Sequence, residues 1–147
     1  MLELIKEIRE QTGAGVVDVK KALDETSGDK EAALKMLKKQ GLKKADKKAN
    51  RIAGEGAVVS YIHADGKSGS MVKLLCETDF VARNDKFLEL AKDIAMHIIA
   101  MDPADTDELY AQAFVKDPEV TVEALIKNSI ATIGENIKVD SFVKIAV

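Results

Sequence analysis

The first forty residues contain three runs in which apolar side chains recur every three or four positions. In the first two runs, the residues that share a face are Leu4, Ile5, Ile8, Val16, Val19 and Leu23. Gly13 and Gly28 stand where the first two helices would end, and Asp29 can cap a third helix that Gly41 would end. Helices of this length are not stable alone. The pattern therefore predicts a small three-helix module over residues 1–41.

Residues 42–55 are rich in lysine and predict a helical linker. The loosely aligned apolar residues of this linker are Leu42, Ala45, Ala49 and Ile52. Eight basic residues fall between Lys35 and Arg51, but no aromatic residues are interleaved with them for base stacking. We therefore interpret this stretch as a solvated helix face rather than a nucleic-acid-binding stripe.

From residue 57 onward, the apolar period changes from helical to extended. The runs "AVVSYIHA" and "SMVKLLCE" predict two strands joined by a hairpin at "DGKSG", and Val72, Leu74 and Cys76 share one face of the second strand. After "TDFVARN", a helical apolar period continues up to Pro103 and predicts a long amphipathic helix. Residues 104–118 are acidic and weakly patterned, and we expect one short helical turn within that connection.

The carboxy-terminal segment predicts a helix followed by a strand. Thr121 can cap the helix, and Gly134 can end it. In the strand "NIKVDSFVKIAV", the residues predicted to share one face are Ile137, Val139, Ser141, Val143, Ile145 and Val147. This strand must pair with the hairpin or with a second chain. The whole pattern predicts an α+β fold, in which the helical module precedes a β-β-α-α-β core over residues 56–147.

Composition narrows the classes of protein to which the chain can belong. Of its 147 residues, 46% are hydrophobic and 32% are charged, which is enough for a packed core. The net charge of −3 argues against a protein that coats nucleic acid. Cys76 is the only cysteine, so a reducing compartment is the simpler interpretation. No apolar run approaches the roughly 18 residues of a membrane span. The amino-terminal residues lack a signal or transit pattern, so we expect a cytoplasmic protein.

Reactive side chains do not form a pattern typical of an enzyme. His63 and His97 lie in different elements, and neither has a neighbour at metal-ligand spacing. Cys76 falls on the apolar face of a strand, where a thiol is inert. The "GKSGS" stretch at Gly66 joins two strands and lacks the upstream glycine of a phosphate-binding loop. We expect no catalytic residue, bound metal or cofactor, while a small hydrolase using Cys76 or His63 stays open as an alternative.

The stretch "CETDFVARND", residues 76–85, combines an aspartate and a phenylalanine at a predicted strand–helix junction. The side chains of Thr78 and Asp79 can accept hydrogen bonds from free backbone N–H groups and so cap a helical turn. In that case Phe80 and Val81 simply cover the core. Alternatively, the turn projects Phe80 as an anchor for a partner, since aromatic anchors often dominate interfaces. The residues alone leave both interpretations open.

Four segments, in a fixed order, closely resemble the elongation factor Ts family. They are "TGAGVVDVKKAL", "KKADKKANRIAGEG", "TDFVARN" and "IATIGENIKV", and they extend from residue 12 to residue 139. The resemblance implies an amino-terminal three-helix module of the ubiquitin-associated type and an α+β core with a small antiparallel sheet. It also implies guanine-nucleotide exchange on elongation factor Tu, the GTPase that carries aminoacyl-tRNA to the ribosome, by a protein that is not itself an enzyme.

The resemblance further implies which residues contact this GTPase. Asp79 and Phe80 would push into its nucleotide-binding domain near the magnesium site. Thr78 and Val81 would hold the shape of that wedge. The family's contact loop on the helical module corresponds to Gly13, Ala14, Gly15, Val16 and Val17. The family often has methionines where this chain has its two valines, so the implied contact remains apolar.

The chain departs from the family in ways that affect its implied assembly. Long members carry two related core subdomains, whereas this chain has material for one. Short members pair as homodimers, and the terminal strand is a plausible pairing element, although the 104–118 connection is shorter than in those members. Asp140 and Ser141 replace arginines that are usual in the family, so an acidic or phosphate-like contact there would be lost. The alternative function is a non-catalytic adaptor in which a ubiquitin-associated-type module is fused to an unrelated α+β domain.

Overall fold

The computed structural model describes residues 1–147 and contains seven helices and five strands. The helices are α1 (Leu2–Thr12), α2 (Val16–Glu25), α3 (Lys30–Lys48), α4 (Asp79–Ala82), α5 (Asp85–Met101), α6 (Thr106–Ala111) and α7 (Val122–Ile133). The strands are β1 (Glu55–Ile62), β2 (Ser68–Cys76), β3 (Ala113–Phe114), β4 (Asp117–Thr121) and β5 (Lys138–Ala146). None of the helices combines the length and the apolar character that crossing a membrane requires. The predicted α+β fold class is confirmed.

The three amino-terminal helices pack around an apolar cluster of their own. Its buried members are Ile5, Ile8, Val19, Ala22, Leu23, Ala33 and Leu37. Gly13 ends α1 in the left-handed conformation, and the Asp29 carboxylate accepts a hydrogen bond from the Ala32 amide at 3.0 Å at the start of α3. The expected helices are therefore present and stabilise one another through this cluster.

The prediction that Gly41 ends the third helix is wrong, because α3 continues to Lys48. Gly41 serves a different purpose, since a Cβ atom built there would lie 3.1 Å from the Ala131 Cβ atom in α7. The missing side chain therefore lets α3 and α7 approach closely. Ala45, in the second half of α3, is buried in the main core, whereas Ile52, predicted on the same apolar side, is 88% exposed. The division of the chain into units at 1–41, 42–55 and 56–147 stays a prediction. Its first boundary, after residue 41, falls inside the continuous helix α3.

An antiparallel sheet of three strands, in the order β1-β2-β5, forms one layer of the core. Its inner face packs against α5 and α7 in a cluster of 19 buried residues. Val72, Leu74 and Cys76 contribute the face of β2 that the alternation predicted, and all three are fully buried. Phe87 from α5 is the largest fully buried side chain in the molecule. Burial of this apolar face is the main stabilising term of the core.

A β-bulge in the terminal strand contradicts the prediction that one face of it extends from Ile137 to Val147. Lys73 pairs with Ser141 and Leu74 with Val139, so Asp140 is an extra residue in the ladder. Since side chains alternate with a period of two, an extra residue reverses the faces beyond it. Val139 is accordingly buried, whereas Val143 is 51% exposed.

Residues 104–118 contain more structure than the predicted single helical turn. The helix α6 is present, and a short hairpin of β3 and β4 follows it. His97 of α5 ties this hairpin to the core, because its Nδ1 atom accepts a hydrogen bond from the Val115 amide at 3.2 Å. Its Nε2 atom lies 2.9 Å from Oε1 of Gln112, and its ring stacks on Phe114. Burial lowers the pKa of His97 from its ordinary value of 6.5.

Stability should fall as the pH is lowered through the range in which His97 titrates. In the unfolded chain, the imidazole binds a proton near pH 6.5, whereas the folded protein holds it neutral to a lower pH. The free energy of unfolding should therefore decrease between pH 7.5 and pH 5.5. Urea unfolding at the two pH values measures this change. His63→Gln should retain the pH dependence and His97→Gln should lose it; the reverse pattern would contradict the assignment.

Candidate partner-binding site

The segment from Thr78 to Val81 forms a capped helical turn at the end of β2. The Thr78 side chain accepts a hydrogen bond from the Val81 amide at 3.2 Å, which confirms the predicted N-cap. The prediction that Asp79 also caps the turn is wrong. Its carboxylate instead accepts a hydrogen bond from the Arg83 guanidinium, at 2.6 Å, in an exposed ion pair. The exposed carboxylate of Asp79, beside Phe80, is therefore paired with Arg83 in the free protein.

The same turn separates two apolar side chains onto opposite sides. Phe80 is 86% exposed, whereas Val81 is only 8% exposed and belongs to the main core. Val81 thus attaches the turn to the protein, and the Phe80 ring projects into solvent. Of the two interpretations that the residues left open, a Phe80 that covers the core is wrong. A large side chain held outward on an ordered turn leaves its apolar surface available to a partner.

Glu135, in the segment between α7 and β5, contacts this turn from a position 57 residues away in the sequence. One carboxylate oxygen accepts hydrogen bonds from the amides of Glu77 and Thr78 at 3.1 and 3.0 Å. The other accepts the Thr78 hydroxyl at 2.7 Å. Sequence reasoning did not identify this residue, because no local pattern indicates that the two segments meet.

The second predicted contact segment, residues 13–17, joins α1 to α2. Gly13 has a φ of +68°, and its amide donates to the Arg9 carbonyl at 2.8 Å. The Ala14 amide donates to the Thr12 hydroxyl, and the Ala14 carbonyl accepts from the Arg9 guanidinium. Val17 is 78% exposed, and Val16, although predicted on the apolar stripe of α2, is 40% exposed. The loop is held by its own hydrogen bonds and presents two valines to solvent.

The loop at Gly13 also lies against the end of α7. A Cβ atom built on Gly13 would lie 2.7 Å from the Cα atom of Thr132. The Thr132 hydroxyl lies 3.4 Å from the Thr12 carbonyl. Thr132 and Glu135 are only three residues apart, so α7 brings both predicted contact segments to one end of a single helix. The structure does not bring Phe80 and the valines into direct contact.

Cys76 has the properties of a buried structural thiol. Its Sγ atom lies 3.2 Å from the Thr78 carbonyl. Burial, reinforced by the charge of Glu135, raises the pKa of Cys76 to about 11. The thiol is therefore protonated at neutral pH, which argues against the hydrolase alternative. No group of three or more histidine, cysteine, aspartate or glutamate side chains is arranged to hold a metal ion.

An α+β fold with two ordered, exposed apolar segments is typical of a protein that acts by binding another protein. Comparison with known proteins places the chain in a family. The family model described as Elongation factor TS matches residues 77–147. The chain is 40% identical to an elongation factor Ts of Thermosipho melanesiensis, in an alignment that covers 99% of this chain and 97% of that protein. It is 48% identical to an elongation factor Ts of Trichlorobacter lovleyi, over 95% of this chain and 45% of that protein. The chain belongs to the elongation factor Ts family.

The relatives differ in how much of their length the chain covers. It spans less than half of the Trichlorobacter protein and of an elongation factor Ts of Nostoc, to which it is 46% identical. The alignment with the Thermosipho protein extends over 190 positions, and at least 43 of these have no counterpart because this chain has only 147 residues. The chain is therefore shorter even than a relative that it matches from end to end.

Gly13→Ala should destabilise the protein more than the same change at Gly28. Both glycines have a positive φ, at +68° and +84°, so each substitution carries a conformational cost of about 1 kcal/mol. Gly28 has open space around it, whereas the new methyl at Gly13 would collide with the backbone of α7. We expect an additional loss of about 1–3 kcal/mol at Gly13, measured by urea unfolding. Equal losses of stability at the two positions would contradict this prediction, because they would show that Thr132 can move away from the new methyl group at no cost in free energy.

Proposed function

We propose that this protein is a guanine-nucleotide exchange factor that binds elongation factor Tu in its GDP-bound state and promotes GDP release during translation elongation. The observation that carries the proposal is the exposed Phe80 side chain on a capped turn that is anchored to the core by Val81. Membership in the elongation factor Ts family supports it. No observation favours the adaptor alternative.

In the proposed complex, Asp79 and Phe80 enter the GTPase near its magnesium site. Bound Mg²⁺ neutralises the charge of the nucleotide phosphates, so a displacement of the groups that hold the ion weakens the binding of both ion and nucleotide. Transfer of the phenylalanine ring from water into the interface stabilises the complex by roughly 1.5–3 kcal/mol. That gain helps stabilise a GTPase conformation with lower affinity for nucleotide.

Exchange by this route needs no chemical step in the factor itself. The factor must bind the empty GTPase more tightly than the loaded one. This coupling is reciprocal. If the factor weakens nucleotide binding to the GTPase tenfold, the nucleotide weakens binding of the factor tenfold, which is about 1.4 kcal/mol in each direction. Incoming GTP can therefore release the factor, which explains why a protein-binding surface suffices without a catalytic residue.

The loop at residues 13–17 supplies a second contact with the same GTPase in this proposal. Its exposed valines offer a small apolar surface, and the hydrogen bonds around Ala14 keep that surface ordered before binding. A surface that is already ordered loses less conformational entropy when a partner binds. The predicted helical module thus contributes affinity, and Phe80 disturbs the nucleotide site.

We also propose that two copies of the chain associate through the outer face of the core sheet. The bulge at Asp140 turns Val143 and Ile145 to this face, where Ile62 and Met71 lie on the neighbouring strands. These side chains line a shallow apolar depression of about 490 Å³. Contiguous apolar surface of this kind is typical of an interface between proteins. A second copy offers a matching face, as a two-fold symmetric dimer requires.

Phe80→Ala should abolish most of the exchange activity and leave the fold intact. Because Phe80 is exposed, its truncation should change the stability by less than about 0.5 kcal/mol. The lost burial in the complex corresponds to a roughly tenfold to hundredfold decrease in exchange efficiency. Stopped-flow release of a fluorescent GDP from elongation factor Tu, with and without the protein, measures the effect.

Ile52→Ala provides a matched control, because Ile52 is 88% exposed and lies outside both predicted contact segments. It should accelerate GDP release as well as the unmodified protein does. If the unmodified protein has no effect on GDP release, the proposed function is wrong. If Phe80→Ala remains fully active, the assignment of the wedge is wrong while the function stands.

Ile145→Lys should convert a dimer of this chain into a monomer, because a charge at the centre of an apolar interface would be buried without a partner. Sedimentation velocity over the micromolar range measures the oligomeric state. Ile52→Lys introduces the same charge at an exposed position outside the sheet and should leave the dimer intact. An unmodified protein that sediments as a monomer throughout that range would refute the proposed pairing.

A further inference from the structure

The amides of Glu77 and Thr78 lie just beyond the end of β2, outside the hydrogen-bond ladder of the sheet. The half-buried carboxylate of Glu135 accepts hydrogen bonds from both amides through one oxygen. Backbone N–H groups without a partner are costly where water is excluded, and a charged acceptor makes stronger hydrogen bonds than a neutral one. Glu135 therefore fixes the direction in which the chain leaves the strand and enters the turn.

The second oxygen of Glu135 acts on the cap of that turn. A hydroxyl has one proton to donate and lone pairs with which to accept. The Thr78 hydroxyl donates its proton to Glu135 at 2.7 Å and accepts the Val81 amide at 3.2 Å. The carboxylate thereby orients the hydroxyl so that a lone pair faces the Val81 amide. A continuous chain of hydrogen bonds leads from Glu135 through Thr78 to the residue that follows Phe80.

Glu135 is itself held on both sides. It follows Gly134, which ends α7 in the left-handed conformation. It precedes Asn136, a residue only 5% exposed, whose side-chain amide donates to the Arg51 carbonyl at 2.8 Å. A carboxylate fixed between two such neighbours has little freedom to move away from the turn. It is suited to hold another segment in place.

We propose that Glu135 is a positioning residue that holds the Thr78–Val81 turn in the conformation that projects Phe80. Glu135 itself touches no partner and acts only through the turn. The inference rests on the proposed function for its consequence in exchange, but the ordering of the turn belongs to the free protein. A four-residue helix makes too few internal hydrogen bonds to be ordered alone. Its order must come from contacts such as those of Glu135.

Hydrogen–deuterium exchange of the free protein tests the ordering directly. In Glu135→Ala, the amides of Glu77, Thr78 and Val81 should exchange at least about tenfold faster, while those of α5 and α7 keep their protection. Glu135→Gln should preserve most of the protection, because its carbonyl oxygen can accept both backbone amides and its NH₂ group can donate to the Thr78 hydroxyl. Unchanged exchange at residues 77–81 in Glu135→Ala would overturn the proposal.

Release of fluorescent GDP from elongation factor Tu tests the consequence. Glu135→Ala should reduce the stimulated rate by about fivefold or more, and Glu135→Gln should restore it to within about threefold of the unmodified protein. Asp105→Ala is the matched control, since it removes a carboxylate that accepts a hydrogen bond from a backbone amide elsewhere, that of Glu108 at the start of α6, at 2.8 Å. It should leave the rate unchanged. A Glu135→Gln variant as inactive as Glu135→Ala would refute positioning by hydrogen-bond geometry.

The outcomes separate the two proposals. If the unmodified protein does not accelerate GDP release, the proposed function fails, and the hydrogen-exchange result still decides whether Glu135 orders the turn. If Phe80→Ala is inactive and Glu135→Ala is fully active, the function stands and the positioning role is wrong. If Glu135→Ala unfolds the whole protein, Thr78→Val tests the same chain of hydrogen bonds, because it removes the hydroxyl that links Glu135 to the Val81 amide. It should raise exchange at the Val81 amide, and unchanged protection there would refute the proposal.

Discussion

The segment that ends α7 and leads into β5, residues 131–136, holds three distant parts of the chain together. Glu135 binds the start of the Phe80 turn, and Asn136 binds the backbone carbonyl of Arg51 beyond α3. The Thr132 hydroxyl and backbone lie against Thr12 and Gly13, about 120 residues earlier in the chain. Apart from the hydrogen bond between Glu135 and the Thr78 hydroxyl, each contact involves a backbone group or a glycine of the distant segment. The positions of the helical module and of the turn therefore depend on these polar and steric contacts, together with the packing of α3 against α7.

This arrangement suits a protein whose proposed activity depends on two separate contacts with one partner. Val17 and Phe80 lie on different segments, and each is more than three-quarters exposed. If those segments moved independently, binding would have to restrict both, at a cost of about 0.5–1.5 kcal/mol for each side chain immobilised. Because Thr132 near the end of α7 and Glu135 just beyond it support both, much of this ordering is complete in the free protein. Affinity then depends on how well their spacing matches the partner.

Local features of the sequence predicted most of the fold, and long-range contacts account for what it missed. The caps at Asp29, Thr78 and Thr121 depend on residues three positions apart, so they are visible in a short stretch. The bulge at Asp140 depends on pairing with β2, and nothing in the strand itself marks the reversal of its faces. The prediction for Gly41 is wrong for a similar reason, because this glycine lets the distant helix α7 approach. Within the candidate site, the turn was predictable and its support by Glu135 was not.

The opposite exposure of Phe80 and Val81 shows why that support matters. The turn buries the side chains of Val81 and Ala82, and the larger of the two, Val81, contributes roughly 1.5–3 kcal/mol, which is comparable to the entropy of ordering only one or two residues. Phe80 contributes nothing to the order of the free turn, since its ring remains in water. The balance must come from polar contacts, and Glu135 supplies three hydrogen bonds at this point. An exposed aromatic side chain can be kept ready for a partner only when its backbone is stabilised by such interactions.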